Sequence, residues 1–135
     1  MLSRIHPRKA KRLCLAVFLL ITTAFAQQLD DWTVSHFERA TQAQQANDLQ
    51  TAETEYRLII ARNPRFAGAY LNLGIVYHQQ KKYSDSVKVL KTAVQLDPHV
   101  LGSQLFLGID EYLTQDYKSA RGHLQQALAA DPFED

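Results

Sequence analysis

The chain has 135 residues, 46% hydrophobic and 21% charged, a composition that fits one ordinary globular domain and excludes a disordered or fibrous chain. Its formal charge is +1, but all 14 Asp and Glu lie after Ala26 together with only 10 of the 15 Lys and Arg, so the remainder carries −4. That balance removes the electrostatic basis for binding nucleic acid or an anionic surface. The single cysteine, Cys14, leaves none after Ala26 for a disulfide or thiol chemistry.

The segment from Met1 to Ala26 reads as a secretory signal peptide. "MLSRIHPRKAKR" is basic with no acid, the apolar run "LCLAVFLLITTAFA" follows, and Ala24-Phe25-Ala26 supplies the small-residue pattern for cleavage before Gln27. The apolar run is shorter than the roughly 20 residues that a membrane-spanning helix needs. A retained signal anchor is the alternative; with cleavage, no membrane association is expected of the mature chain. Cys14 stands at the start of the run, whereas a lipid-anchored precursor needs its cysteine at the end.

Beyond that segment the sequence repeats itself with a fixed period of 34. Asn63-Pro64, Asp97-Pro98 and Asp131-Pro132 mark the step, and Gly68, Leu71, Leu73, Gly74, Ile75, Tyr83 and Ala93 return as Gly102, Leu105, Leu107, Gly108, Ile109, Tyr117 and Ala127. A more diverged copy precedes them, with Ala40 at the Gly74 position, Leu49 at Tyr83 and Tyr56 at Leu90. Each unit holds two helical patterns. The first helix of the second unit is expected to start at Asn63-Pro64 and that of the third at Asp97-Pro98, with Asn or Asp as cap and Pro at the first helical position. Polar breaks "NDL", "KKY" and "QDY" then lead into second helices over Leu49 to Arg62, Tyr83 to Leu96, and Tyr117 to Ala130.

The second unit, "AGAYLNLGIVYHQQKKYSDSVKVLKTAVQLDP", resembles the tetratricopeptide repeat at Tyr70, Leu73, Gly74, Tyr77, Tyr83, Ser86, Leu90, Ala93 and Pro98. The third keeps Leu107, Gly108, Tyr117, Ala120, Leu124, Ala127 and Pro132. The first keeps Ala40, Ala52 and Pro64 but has His36 and Arg39 where the family prefers Trp or Tyr and Leu. The resemblance implies an all-α fold, an α-α solenoid with a right-handed superhelix, of three repeats over residues 31–64, 65–98 and 99–132. Residues 133–135 follow without a capping helix. It also implies that the glycine of each first helix faces the small residue of the second, pairing Gly74 with Ser86, Gly108 with Ala120, and Ala40 with Ala52.

Catalytic, cofactor and metal sites are not expected. His36, His78, His99 and His123 lie in different elements, none forming a metal-binding spacing with another His or a carboxylate, and Asp110 and Glu111 are adjacent, so they point apart. Glu111 departs from the repeat pattern, taking the place of Tyr77. The expectation is that the third unit ends the stack and leaves that space open to water, the other reading being a polar contact to a partner. An uncapped last repeat would expose apolar surface from Leu124, Ala127 and Leu128. It implies a longer protein, two chains capping one another as a homo-oligomer, or a frayed third unit.

A protein or peptide partner is expected on the concave side, along one stripe of the first helices. The expected contact residues are Phe37 and Gln44 in the first unit, Leu71, Asn72, Ile75 and His78 in the second, and Leu105, Ile109 and Tyr112 in the third. Some relatives grip a peptide C-terminus with basic and Asn residues there. Only Asn72 matches, since Phe37, Thr41, Gly102 and Phe106 occupy the other positions. A largely apolar groove instead suits an extended peptide or an amphipathic helix. The function implied is an exported, noncatalytic binding scaffold; the alternative is the docking arm of a longer enzyme or transporter-associated protein whose active domain lies beyond residue 135.

Overall fold

The computed structural model describes residues 30–100 and 102–130, so the signal segment and the last five residues lie outside the described residues. The chain divides into two units, Met1–Asp31 and Trp32–Asp135, and the second holds the array. Among the described residues every regular element is an α-helix. In chain order these are α1 (Asp31–Gln45), α2 (Leu49–Arg62), α3 (Ala67–Gln79), α4 (Tyr83–Leu96), α5 (Ser103–Leu113) and α6 (Tyr117–Ala129). They form three helix-turn-helix units with each helix packed on its sequence neighbour from α2 onward and α3 also touching α5, which is the solenoid expected.

Each hairpin turns in the same way. Asn47, Lys81 and Gln115 have φ of 60°, 61° and 69°, and they stand one repeat period apart. After each, an amide reaches back to close the first helix: Asp48 N to Ala43 O, Lys82 N to Tyr77 O and Asp116 N to Glu111 O, all at 2.8 Å. This left-handed residue with its backward bond satisfies carbonyls that the helix end leaves free. Asp48 and Asp116 then cap α2 and α6 through their carboxylates, accepting from Thr51 N at 3.1 Å and Ser119 N at 3.3 Å. Hydrogen bonding from the Thr51 and Ser119 side chains, and then from their amides, holds the Asp48 and Asp116 carboxyls below their usual range.

The links between units differ from the expectation. Asn63 and Asp97 do not cap the following helices; they end α2 and α4, their amides donating to Ile59 O and Ala93 O. A residue before proline is driven out of the helical region, so each closes the helix behind it. Asp97 then accepts from His99 N at 2.9 Å in a local turn. The first helices accordingly start later, at Ala67 and Ser103.

The core explains the glycines. Ala40, Ala52, Tyr56, Ile59, Ala69, Leu73 and Val76 form one buried cluster from the first two units, with Phe37, Phe66 and Tyr77 packed against it. Ala40 and Ala52 are both fully buried, and Ser86 Oγ donates to Gly74 O at 2.8 Å. The space a side chain at Gly74 would need, however, is taken by Leu90, one turn beyond Ser86, and that at Gly108 by Leu124, whose Cγ would lie 2.7 Å away. Leu124 therefore points inward, while Leu128 is exposed.

Polar side chains lock the joint between the first and second units. Glu53 on α2 accepts from Tyr77 Oη at 3.3 Å, Gln80 Nε2 at 3.1 Å and Lys82 Nζ at 3.2 Å. Burial pushes the Glu53 carboxyl up, but these hydrogen bonds and the Lys82 charge together hold it below its usual range.

Candidate functional site

The stripe runs along α1, α3 and α5 at helical spacings of three and four, and its residues differ in what they have left to offer a partner. In the first unit Phe37 is half-buried, its ring edge-on to Tyr56 at 5.6 Å and 5.8 Å from Phe66. Much of its surface serves the joint between units. Gln44 Nε2 donates to Gln79 Oε1 at 3.0 Å, and its carbonyl accepts from the Tyr56 hydroxyl at 3.4 Å. Burial pushes the Tyr56 phenol up, so it is a donor in this network.

The second and third units carry the apolar part. Leu71, Ile75 and Ile109 are half-buried, and Leu105 and Tyr112 are exposed. Leu71 and Leu105, and Ile75 and Ile109, differ by one repeat and so hold the same positions on successive first helices. Asn72 is less available: its amide nitrogen donates to Gly68 O at 2.8 Å on its own helix.

Histidines supply what the sequence pattern does not reveal. His36 on α1 pairs with Glu55 on α2, which also takes a long bond of 3.3 Å from Arg39. His78 Nδ1 on α3 lies 2.5 Å from Asp110 Oδ1 on α5. His123 Nδ1 on α6 lies 2.6 Å from Glu111 Oε2 on α5, with Lys91 Nζ of α4 at 3.4 Å from the other oxygen. Glu111 is therefore not open to water: it is fully buried between α6 and α4, with His123 hydrogen-bonded to one oxygen and the Lys91 charge beside the other. Asp110 and Glu111 do point apart, Asp110 toward α3 and Glu111 toward α6 and α4.

The repeat register gives these pairs a meaning. His78 and Asp110 stand where the first joint has Gln44 and Val76; Glu111 and His123 stand where the second unit has Tyr77 and Val89. In both cases a neutral pair has become an acid and an imidazole together. The signal was present in the sequence as two correlated departures from the repeat, but partners 32 and 12 residues apart cannot be matched without the packing. Among the described residues no three His, Cys, Asp or Glu side chains converge as a metal site would require.

Helical hairpins recurring every 34 residues, each closed by a left-handed residue and stacked on the next, define an α-solenoid repeat protein. Residues 37–100 match the family model described as tetratricopeptide repeat. The fold is that of solved tetratricopeptide-repeat domains. The TPR2B domain of yeast Sti1 in its pHsp70 complex has a TM-score of 0.72 at 18% identity, covering 76% of this chain and 82% of that one. The second TPR domain of Spaghetti (RPAP3), bound to the HSP90 peptide SRMEEVD, has a TM-score of 0.72 at 18% identity, covering 75% and 94%. MamA protein has a TM-score of 0.72 at 21% identity, covering 76% of this chain and 56% of that one. No curated protein matches the sequence.

Proposed function

We propose that this chain is an exported, noncatalytic scaffold that holds a segment of another protein along its concave stripe. The observation that carries the reading is the recurrence of apolar residues, Leu71 with Leu105 and Ile75 with Ile109, left half-buried or exposed at the same repeat positions of successive first helices. Side chains at that spacing present alternating apolar footholds to an extended peptide or to one face of an amphipathic helix. The fold neighbours point the same way, since the Sti1 and RPAP3 domains are complexed with pHsp70 and with an HSP90 peptide. Export rests on the order of basic, apolar and small residues before Gln27.

The test substitutes Ile75→Glu and Ile109→Glu together, with a photo-crosslinking amino acid at Leu105 to report the partner. Each new carboxylate would have to be desolvated against an apolar ligand, so crosslinks seen from Leu105 in the otherwise native protein should disappear. Helical circular dichroism and cooperative unfolding should be retained, because these side chains are only half-buried. Crosslinking that persists in the folded double variant would place binding on another surface. N-terminal analysis from an exporting host should give a chain starting at Gln27; one starting at Met1 would support the anchor.

A further inference from the structure

The chemistry around His78 narrows the class of partner, on the premise that the concave stripe is the binding face. Asp110 is fully buried, its Oδ1 faces His78 Nδ1 at 2.5 Å, and its Oδ2 has no hydrogen-bond partner. No Lys or Arg forms an ion pair with it among the described residues. A buried carboxylate whose one partner is an imidazole has no fixed positive charge beside it. The stripe itself cannot supply it, since its residues include no Lys and no Arg. The first joint carries the neutral Gln44 and Val76 in the same places, so the deficit is particular to the joint between the second and third units.

His78 connects that charge to the binding face. With Nδ1 against a carboxylate, that nitrogen bears the hydrogen, and Nε2, which has no partner among the described residues, is the ring's remaining hydrogen-bonding position. The side chain is 28% exposed. Aromatic rings surround it: Tyr83 and Phe106 each stand edge-on at 5.6 Å, and one repeat along, the exposed Tyr112 and Tyr117 pair at 5.3 Å. Aromatic ring faces attract cations, and the buried Asp110 charge behind His78 adds to that field.

We propose that the partner segment places a Lys or Arg side chain at His78, with apolar residues on Ile75 and Ile109. Its N–H donates to His78 Nε2, and the buried Asp110 charge gains a counter-charge through the imidazole. An acidic segment is disfavoured there by Asp110 and by the net −4 of the chain after Ala26.

Three fluorescein-labelled peptides test this, identical except for one central Arg, Gln or Glu between leucines, titrated against the purified protein by anisotropy. The Arg probe should bind about tenfold or more tighter than the Glu probe. His78→Gln with Asp110→Val, which copies the Gln44 and Val76 pair of the first joint, should bring the three probes to within about twofold of one another. Asp110→Asn, which keeps shape and removes charge, should reduce the Arg-over-Glu ratio by itself should the double variant fold poorly. A Glu probe bound as tightly as the Arg probe, or an unchanged preference in both variants, overturns the proposal. Should all three probes bind alike and lose binding in Ile75→Glu/Ile109→Glu, the groove stands and the cationic partner falls. Binding by no probe, or binding of the neutral Gln probe that survives Ile75→Glu/Ile109→Glu, overturns the groove reading and this one with it. Self-association abolished by the same two substitutions would give the face to a second copy and also overturn it.

Discussion

A Cβ added to Gly74 would lie 2.6 Å from both Cγ and Cδ2 of Leu90, inside the contact distance of any two carbon atoms. The glycine lets α3 and α4 approach until a fully buried leucine fills the space where its own side chain would be. Gly74→Ala should therefore destabilise the domain by about 1–3 kcal/mol in urea unfolding, although alanine is the better helix former. Adding Gly74→Ala to a Leu90→Ala background should cost far less, because the truncated leucine vacates that space. Equal effects of Gly74→Ala in both backgrounds would show that the close approach to Leu90 is not what demands glycine.

The left-handed residues of the hairpins offer a gain rather than a loss. Lys81 is exposed with φ of 61°, a conformation that costs a residue with a Cβ roughly 1 kcal/mol. Lys81→Gly should raise stability by about 0.5–1 kcal/mol and the thermal midpoint by a few degrees. A lower midpoint would mean that the loss of unfolded-chain restraint outweighs relief of the turn.

Glu111 and His123 should behave as a unit. His123→Val alone leaves the fully buried Glu111 carboxylate with only the more distant Lys91, and should cost about 3 kcal/mol or more. Glu111→Tyr with His123→Val copies the Tyr77 and Val89 pair of the second unit, and should recover most of that loss. Additive losses in the double variant would show that the third unit cannot hold the second unit's packing.

Acid should weaken the first joint through Glu53. Its folded-state carboxyl is held below the ordinary value of 4.5, so it contributes stability that is fully present above that value. The contribution is lost as pH falls from 4.5 through the lowered folded value. Urea midpoints measured from mildly acidic pH downward should fall more steeply for the native protein than for Glu53→Gln, which cannot titrate. Parallel pH profiles would remove Glu53 from the acid response.

The repeat, its period, the second helices to within a residue, and the need for small residues at the crossing are all legible in the amino-acid order. These signals are local or periodic: Gly74 and Gly108 recur in register, and a polar break between two apolar stripes marks a hairpin wherever it occurs. The starts of α3 and α5 are ambiguous in the same pattern, because Asn63 and Asp97 can cap a following helix or end the preceding one, and proline's steric demand on its neighbour decides. Which residues meet is a matter of packing alone. Leu90 rather than Ser86 fills the Gly74 space, Glu111 is enclosed by His123 and Lys91, and His78 stands in front of Asp110. Such pairings depend on how α3, α4, α5 and α6 lie against one another to within an ångström or two. A sequence pattern specifies which face of a helix is apolar, but not which polar atom of a neighbouring helix comes within hydrogen-bond distance of it.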